Sequence, residues 1–73
     1  MKELNVATRV GQAMRDARKS LELSQDDFAD HIDMHRAYYG AIERGEKNIT
    51  LQTLHRVATG LGTTMAELLE GID

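Results

Sequence analysis

The chain has 73 residues, a formal net charge of −3, and no Cys, Trp or Pro; 41% of its residues are hydrophobic and 29% charged. Such a length allows a single domain over residues 1–73, and without thiols there is no disulfide, thiolate-bound metal or cysteine nucleophile. No apolar run approaches the roughly 20 residues of a membrane span, and Met1-Lys2-Glu3-Leu4-Asn5 leads into a charged, helix-patterned stretch unlike a signal peptide, so a cytoplasmic location is expected.

Five helices are predicted, in an all-α fold. The first runs from Asn5 to Leu21, with Val6, Val10, Met14, Ala17 and Leu21 on one face. Gly11 interrupts it and suggests close approach of a second helix. The next helix opens at Ser24, where Ser24 and Asp27 have capping-box spacing and Asp26 and Asp27 suit the positive end of the helix dipole. Phe28, Ala29 and Ile32 form its inward face, and it ends near Ile32-Asp33. After the short connection Asp33-Met34-His35, a third helix spans Arg36 to Arg44 and stops at Gly45, a left-handed terminating position. Tyr39 and Ile42 should point inward, with Tyr38, Gly40, Ala41 and Arg44 outward.

A polar loop, Gly45 to Ile49, leads to Thr50 as the cap of a fourth helix from Leu51 to Thr59. Leu51, Leu54, Val57, Ala58 and Leu61 make its apolar stripe, and Gly60 and Gly62 should break it. Thr64 and Glu67 form a second capping box for a last helix, Met65 to about Glu70, ended by Gly71. No segment alternates with period two for long enough to be a strand.

Charge is distributed in blocks: +2 over residues 1–23, −4 over 24–34, +2 over 35–56 and −3 over 57–73. A chain of net negative charge can thus still present one basic face. Asp26, Asp27, Asp30 and Asp33 read as caps and a solvated acidic face, not as a metal cluster. His31 and His35 straddle a turn and so do not share a helix face as zinc ligands do, and His55 has no catalytic partner. No nucleophile–base pair and no phosphate-cradling loop is present, so no enzyme, metal, cofactor or small-molecule ligand is expected.

Two short helices joined by about three residues are the helix-turn-helix arrangement. Leu23-Ser24-Gln25-Asp26-Asp27-Phe28-Ala29 resembles the LSQeelA signature of the lambda-repressor-like, XRE/Cro-type helix-turn-helix family. Ile42-Glu43-Arg44-Gly45-Glu46-Lys47-Asn48 resembles its iErGerN signature, and Leu51 to Ala58 with Leu61-Gly62 resembles the following helix. Asp33 stands where the family usually has Gly, His35 where Ser or Thr is usual, and Ile49 where Pro is common. Met34 to Gly45 looks like the form found in controller proteins of restriction–modification systems; phage Cro-like repressors and antitoxin regulators are neighbouring readings. A protein-interaction module that no longer binds DNA is the alternative from another class.

The resemblance implies a regulator that binds double-stranded DNA and acts with the nucleoid. Arg36, Ala37, Gly40 and Ala41 would face bases, Arg36 as a guanine reader. Gln25, Tyr38, Arg44, Lys47 and Asn48 would contact phosphates. The family pattern also implies a structural ion pair between Arg18 and Glu43. Such proteins read two half-sites about 34 Å apart as dimers. Met65, Leu68, Leu69 and Ile72 exceed what a short last helix needs as an anchor, and are the expected homodimer contacts, helped by the fourth helix. RNA polymerase is the candidate protein partner. No sensing segment is read in the chain, so control by its own concentration is expected.

Overall fold

A computed structural model describes residues 5–72; Met1 to Leu4 of the expected leaderless start, and Asp73, lie outside them. The elements are α1 (Val6–Ser20), α2 (Gln25–His31), α3 (Arg36–Glu43), α4 (Leu51–Leu61) and α5 (Met65–Leu69). Among the described residues there is no strand. Helix α1 packs on α3, α4 and α5, and α2 packs on α3.

Each helix starts where a short polar side chain accepts from a free backbone N–H, the group that the first turn leaves unpaired. The Asn5 carboxamide accepts from Thr8 at 2.8 Å, Ser24 from Asp27 at 3.0 Å, and Thr50 from Thr53 at 3.1 Å. Thr64 and Glu67 close both halves of their capping box. At α3 the cap is an imidazole: His35 Nδ1 accepts from Ala37 N at 3.2 Å.

Met14, Phe28, Tyr39 and Val57 are fully buried at the centre, with Val10, Ala29, Ile32, Ile42, Leu54, Ala58, Leu61 and Leu68 around them. Each large side chain withdrawn from water contributes about 1.5–3 kcal/mol. The Phe28 and Tyr39 rings meet with centroids 5.0 Å apart and planes tilted by 57°, joining α2 to α3. The ends of the predicted stripes are not buried. Val6 and Leu21 of α1 are exposed, and Leu51, expected to face inward, is 76% exposed because it sits at the first position of α4, beyond the core.

Two glycines act by close approach. A Cβ on Gly11 would collide with the carbonyl oxygens of Glu43 and Ile42, the latter at 2.6 Å, so α1 touches the end of α3 backbone to backbone. Gly60 was expected to break α4, yet the helix continues through it to Leu61. Its missing side chain leaves room for Ile32 and Phe28 of α2, and that packing outweighs the low helix propensity of glycine.

The connection between α2 and α3 is built from two backbone bonds and one clamp. Asp33 is left-handed, φ 57°, as a glycine would be. This lets Asp33 N donate to Asp30 O at 3.0 Å and Met34 N to Ala29 O at 2.8 Å, a Schellman termination. Arg56 of α4 then reaches across: its Nε and Nη2 donate to Ile32 O at 3.0 and 2.6 Å, and Nη2 also to Asp33 O. The carbonyls that α2 leaves open are thus taken by a guanidinium.

Arg18 and Glu43 meet as a bidentate pair. Arg18 Nε donates to Glu43 Oε2 at 2.7 Å and Nη2 to Oε1 at 3.0 Å, while Nη1 caps Leu23 O at 2.8 Å. Gln25 Nε2 donates to Glu43 Oε1 at 2.8 Å, so α1, α2 and α3 converge on one carboxylate. Arg15 Nε adds a positive charge 3.6 Å from Glu43 Oε1, outside hydrogen-bond geometry. Arg18 and Glu43 are 7% and 5% exposed. Burial alone would raise the Glu43 carboxyl, but the Arg18 hydrogen bond, the neighbouring Tyr39 hydroxyl and the Gln25 amide together hold it below its ordinary value. Burial and then the adjacent carboxylate push the Tyr39 hydroxyl far above its usual range.

A carboxyl held low in the folded state stabilises the fold at pH values above its ordinary 4.5, and that contribution is lost as pH falls through the lower folded value. Urea titrations should show wild-type stability falling over this window and Glu43→Gln losing that part of the pH dependence. At pH 7, Glu43→Gln leaves the Arg18 charge buried without its partner and should cost about 3–5 kcal/mol, with Arg18→Met plus Glu43→Leu costing less than Glu43→Gln alone. Gly11→Ala should cost about 1–3 kcal/mol through overpacking, read in the same titrations.

Candidate nucleic-acid interface

Helix α3 presents a narrower outer face than its sequence suggested. Arg36, Ala37 and Tyr38 are exposed, while Tyr39 and Ile42 are core residues. Gly40 and Ala41, expected to face outward, are buried. Gly40 lies beneath two side chains: a Cβ there would stand 3.1 Å from Arg44 Nη1 and 3.3 Å from Gln25 Oε1. Ala41 is 6% exposed. The chain leaving α3 folds back on its turn, with Gly45 N donating to Ile42 O at 3.0 Å and Glu46 N to Ala41 O at 2.9 Å. Of the four residues expected to face bases, Arg36 and Ala37 are open to an incoming ligand, both in the first turn of α3.

The polar groups around this face are already engaged. Arg36 Nη1 lies 3.1 Å from Asp26 Oδ2, with the two side chains 72% and 63% exposed. Arg44 forms two bonds with Glu46, at 3.0 and 3.2 Å. Those bonds raise the Arg44 guanidinium and lower the Glu46 carboxyl relative to their ordinary values. Gln25 spends an amide N–H on Glu43 and keeps its oxygen over Gly40. Lys47 and Asn48 are exposed in the loop after α3. Gln25, Tyr38, Arg36 and Arg44 belong to α2, α3 and the residue that caps α3, whose relative position is set by the Phe28–Tyr39 contact and the Asp33 turn.

His31 ends α2 in an exposed position, whereas His35 Nδ1 is committed to capping α3. Among the described residues, no group of three His, Asp or Glu side chains is placed to hold a metal ion, and no helix is long and apolar enough to cross a membrane.

The residues expected at a dimer interface divide. Leu68 is 4% exposed and is a core residue, a correction to its reading as surplus. Met65, Leu69 and Ile72 are half-buried against the core. A five-residue helix has so little backbone anchorage that most of its apolar side chains are used in seating it. The apolar surface that remains is elsewhere. Val6 and Leu51 are 55% and 76% exposed and, with Val10, Ile49, Leu54 and Leu69, line an open groove of about 290 Å³.

Two contributors were not found from sequence. Arg56 was assigned no role, though an arginine immediately before the inward Val57 of α4 could have flagged a cap for the turn between α2 and α3. Asp26 was read as a dipole-favouring acid, and nothing in linear spacing places it beside Arg36.

Comparison with known proteins agrees with this architecture. The HTH_3 family, described as helix-turn-helix, matches residues 14–68. Control protein C.MunI of Mycoplasma sp is 39% identical over 70 residues, covering 94% of this chain and 95% of its own. Control protein C.SmaI of Serratia marcescens is 38% identical over 60 residues, 82% of this chain and 71% of that one. The crystal structure of the restriction-modification controller protein C.AhdI from Aeromonas hydrophila superposes with a TM-score of 0.80 at 34% identity, over 85% of this chain and 94% of its own. The buried α1–α3 ion pair, the clamped turn and the exposed first turn of α3 are therefore the scaffold of a member of the HTH_3 helix-turn-helix family of DNA-binding regulators.

Proposed function

We propose that this chain is a controller-type transcriptional regulator that binds a pseudo-palindromic operator as a homodimer. The observation that carries the reading is the first turn of α3, where Arg36 and Ala37 stand exposed on a helix fixed by the core. Similarity to a control protein over nearly its whole length supports the controller assignment. Helix α3 enters the major groove; Arg36 pairs with guanine O6 and N7, and Ala37 lies against a thymine methyl. Gly40 lets the helix approach closely once Arg44 swings onto a phosphate, with Gln25 offering the DNA backbone its second amide N–H while the first stays on Glu43, and Ala41 is a small buried residue of the same turn. Tyr38, Lys47 and Asn48 complete the backbone contacts, which give affinity and register but no sequence information.

The second copy is placed on the Val6–Leu51–Leu69 groove, with Met65 and Ile72 at its margin. A leucine 76% exposed beside an exposed valine is the apolar surface that self-association would cover. Two modules then read half-sites about one helical turn apart. Occupancy near a promoter follows the concentration of the chain, with RNA polymerase as the protein contacted there.

Selection of bound duplexes from a random pool should return a two-fold-symmetric site, and Arg36→Ala should lose definition at one position in each half-site. Affinity should fall steeply with salt, with a log–log slope of about −0.9 per phosphate contact. A failure to enrich any sequence at low salt would favour a protein-interaction module. Leu51→Glu should be monomeric by sedimentation equilibrium at tens of micromolar, where the wild type is a dimer; a monomeric wild type there removes the dimer from the reading.

A further inference from the structure

We infer that Asp26 is a positioning residue that sets the specificity of Arg36, holding its guanidinium in the orientation that reads a base. This rests on Arg36 being the base reader. Asp26 is the second residue of α2, beside the Ser24 cap, and its backbone belongs to a turn fixed by that cap. Arg36 is the first residue of α3. The two are ten residues apart and meet because the Asp33 turn, the Arg56 clamp and the Phe28–Tyr39 contact set the angle between the helices. Among the described residues, Asp26 is the carboxylate within ion-pair distance of Arg36.

The atoms used decide what the pair does. Asp26 Oδ2 takes Nη1, which leaves Nε and Nη2 as a second, parallel pair of donors. That edge matches the two acceptors guanine shows in the major groove. An unrestrained arginine at an exposed helix start has many rotamers and can equally well settle on a phosphate, which carries no sequence information. Restraint by Asp26 removes those alternatives. The same carboxylate is a negative charge facing the DNA backbone, so it also weakens sequence-independent binding. Both effects raise the ratio of specific to non-specific affinity, at some loss of total affinity.

The alternative is that Asp26 only lowers the charge of the surface. Asp30, one turn further along α2 and exposed, is the matched control, since it carries the same charge away from Arg36. Wild type, Asp26→Asn, Asp26→Ser, Asp30→Asn, Arg36→Ala and the Asp26→Asn/Arg36→Ala double variant are compared in duplex selection. Each is then titrated on the selected duplex, on its single-base variants and on random duplex. Asp26→Asn should bind random duplex more tightly and lose about tenfold of the preference at the position that Arg36→Ala erases, the size of one such base contact. Asp26→Ser should do the same, and the double variant should show no further loss there. Asp30→Asn should gain random-duplex affinity with base preference intact.

An Asp26→Asn protein that behaves as Asp30→Asn overturns the inference while leaving Arg36 as the reader. An Arg36→Ala protein that keeps every base preference overturns both. Circular dichroism melts of the Asp26 variants should match wild type within a few degrees, because both side chains of the pair are exposed; a base preference lost only alongside folding would also overturn the assignment.

Discussion

The bidentate contact between Arg18 and Glu43 is the constraint on which the rest depends. Glu43 is the last residue of α3, Arg18 lies near the end of α1, and Gln25 at the start of α2 binds the same carboxylate. Three helices therefore share one atom group. Removing two charges from water is expensive, and an apolar pair of similar volume often stabilises as well or better. What an apolar pair does not supply is direction. A carboxylate with four lone-pair positions fixes the angle at which a guanidinium and an amide arrive. That angle places α3 against α1, where Gly11 allows carbonyl oxygens of α3 to lie where a side chain would be. The ion pair and the glycine act on the same crossing, one by attraction and the other by removing a Cβ.

From that crossing the exposed end of α3 is carried outward as a lever. Its far end, Arg36, is held by different means. The turn before it is left-handed at an aspartate, and Arg56 ties the freed carbonyls to α4. A non-glycine residue in this conformation costs about 1–2 kcal/mol. Two Schellman bonds and a charged donor on the same segment offset that cost. The result is a helix of eight residues, too short to be stable alone, whose two ends are each fixed by an arginine from another helix.

Most of this architecture was legible in the sequence because helix signals are local. Caps at Ser24, Thr50 and Thr64, the Gly45 stop and the inward Tyr39 and Ile42 all follow from spacing and side-chain chemistry, and they stand where the spacing put them. Gly60 misled because propensity is local while its reason, the side chains of Ile32 and Phe28, comes from another helix. Gly40 and Ala41 were misplaced for a related cause. Periodicity assigns them an outward direction, but Arg44 and Gln25 lie over Gly40, and Ala41 is buried at the turn where Glu46 N returns to its carbonyl. Leu68 and Leu51 exchanged expected roles because burial at the edge of a small domain depends on where neighbouring helices end, and periodicity carries no such information.

The proposed recognition face is more neutral than its arginines imply. Arg36 and Arg44 each have a carboxylate partner in the free protein, Asp26 and Glu46. Exposed pairs of this kind contribute little to stability, so they are readily exchanged. On the proposed function, these two arginines bind DNA by exchanging carboxylate for phosphate or base edge, in place of the capture of a polyanion by free cations. This fits a chain whose net charge is −3. The two exchanges differ in kind. Arg44 is held at Nε and Nη2 by both oxygens of Glu46, a two-bond contact that a phosphate can replace in kind, whereas Arg36 is held at one nitrogen and keeps its Nε–Nη2 edge free. On the proposed function, the filled Nε–Nη2 edge of Arg44 is exchanged from carboxylate to backbone phosphate, while the open edge of Arg36 contacts a base with the Asp26 bond still in place.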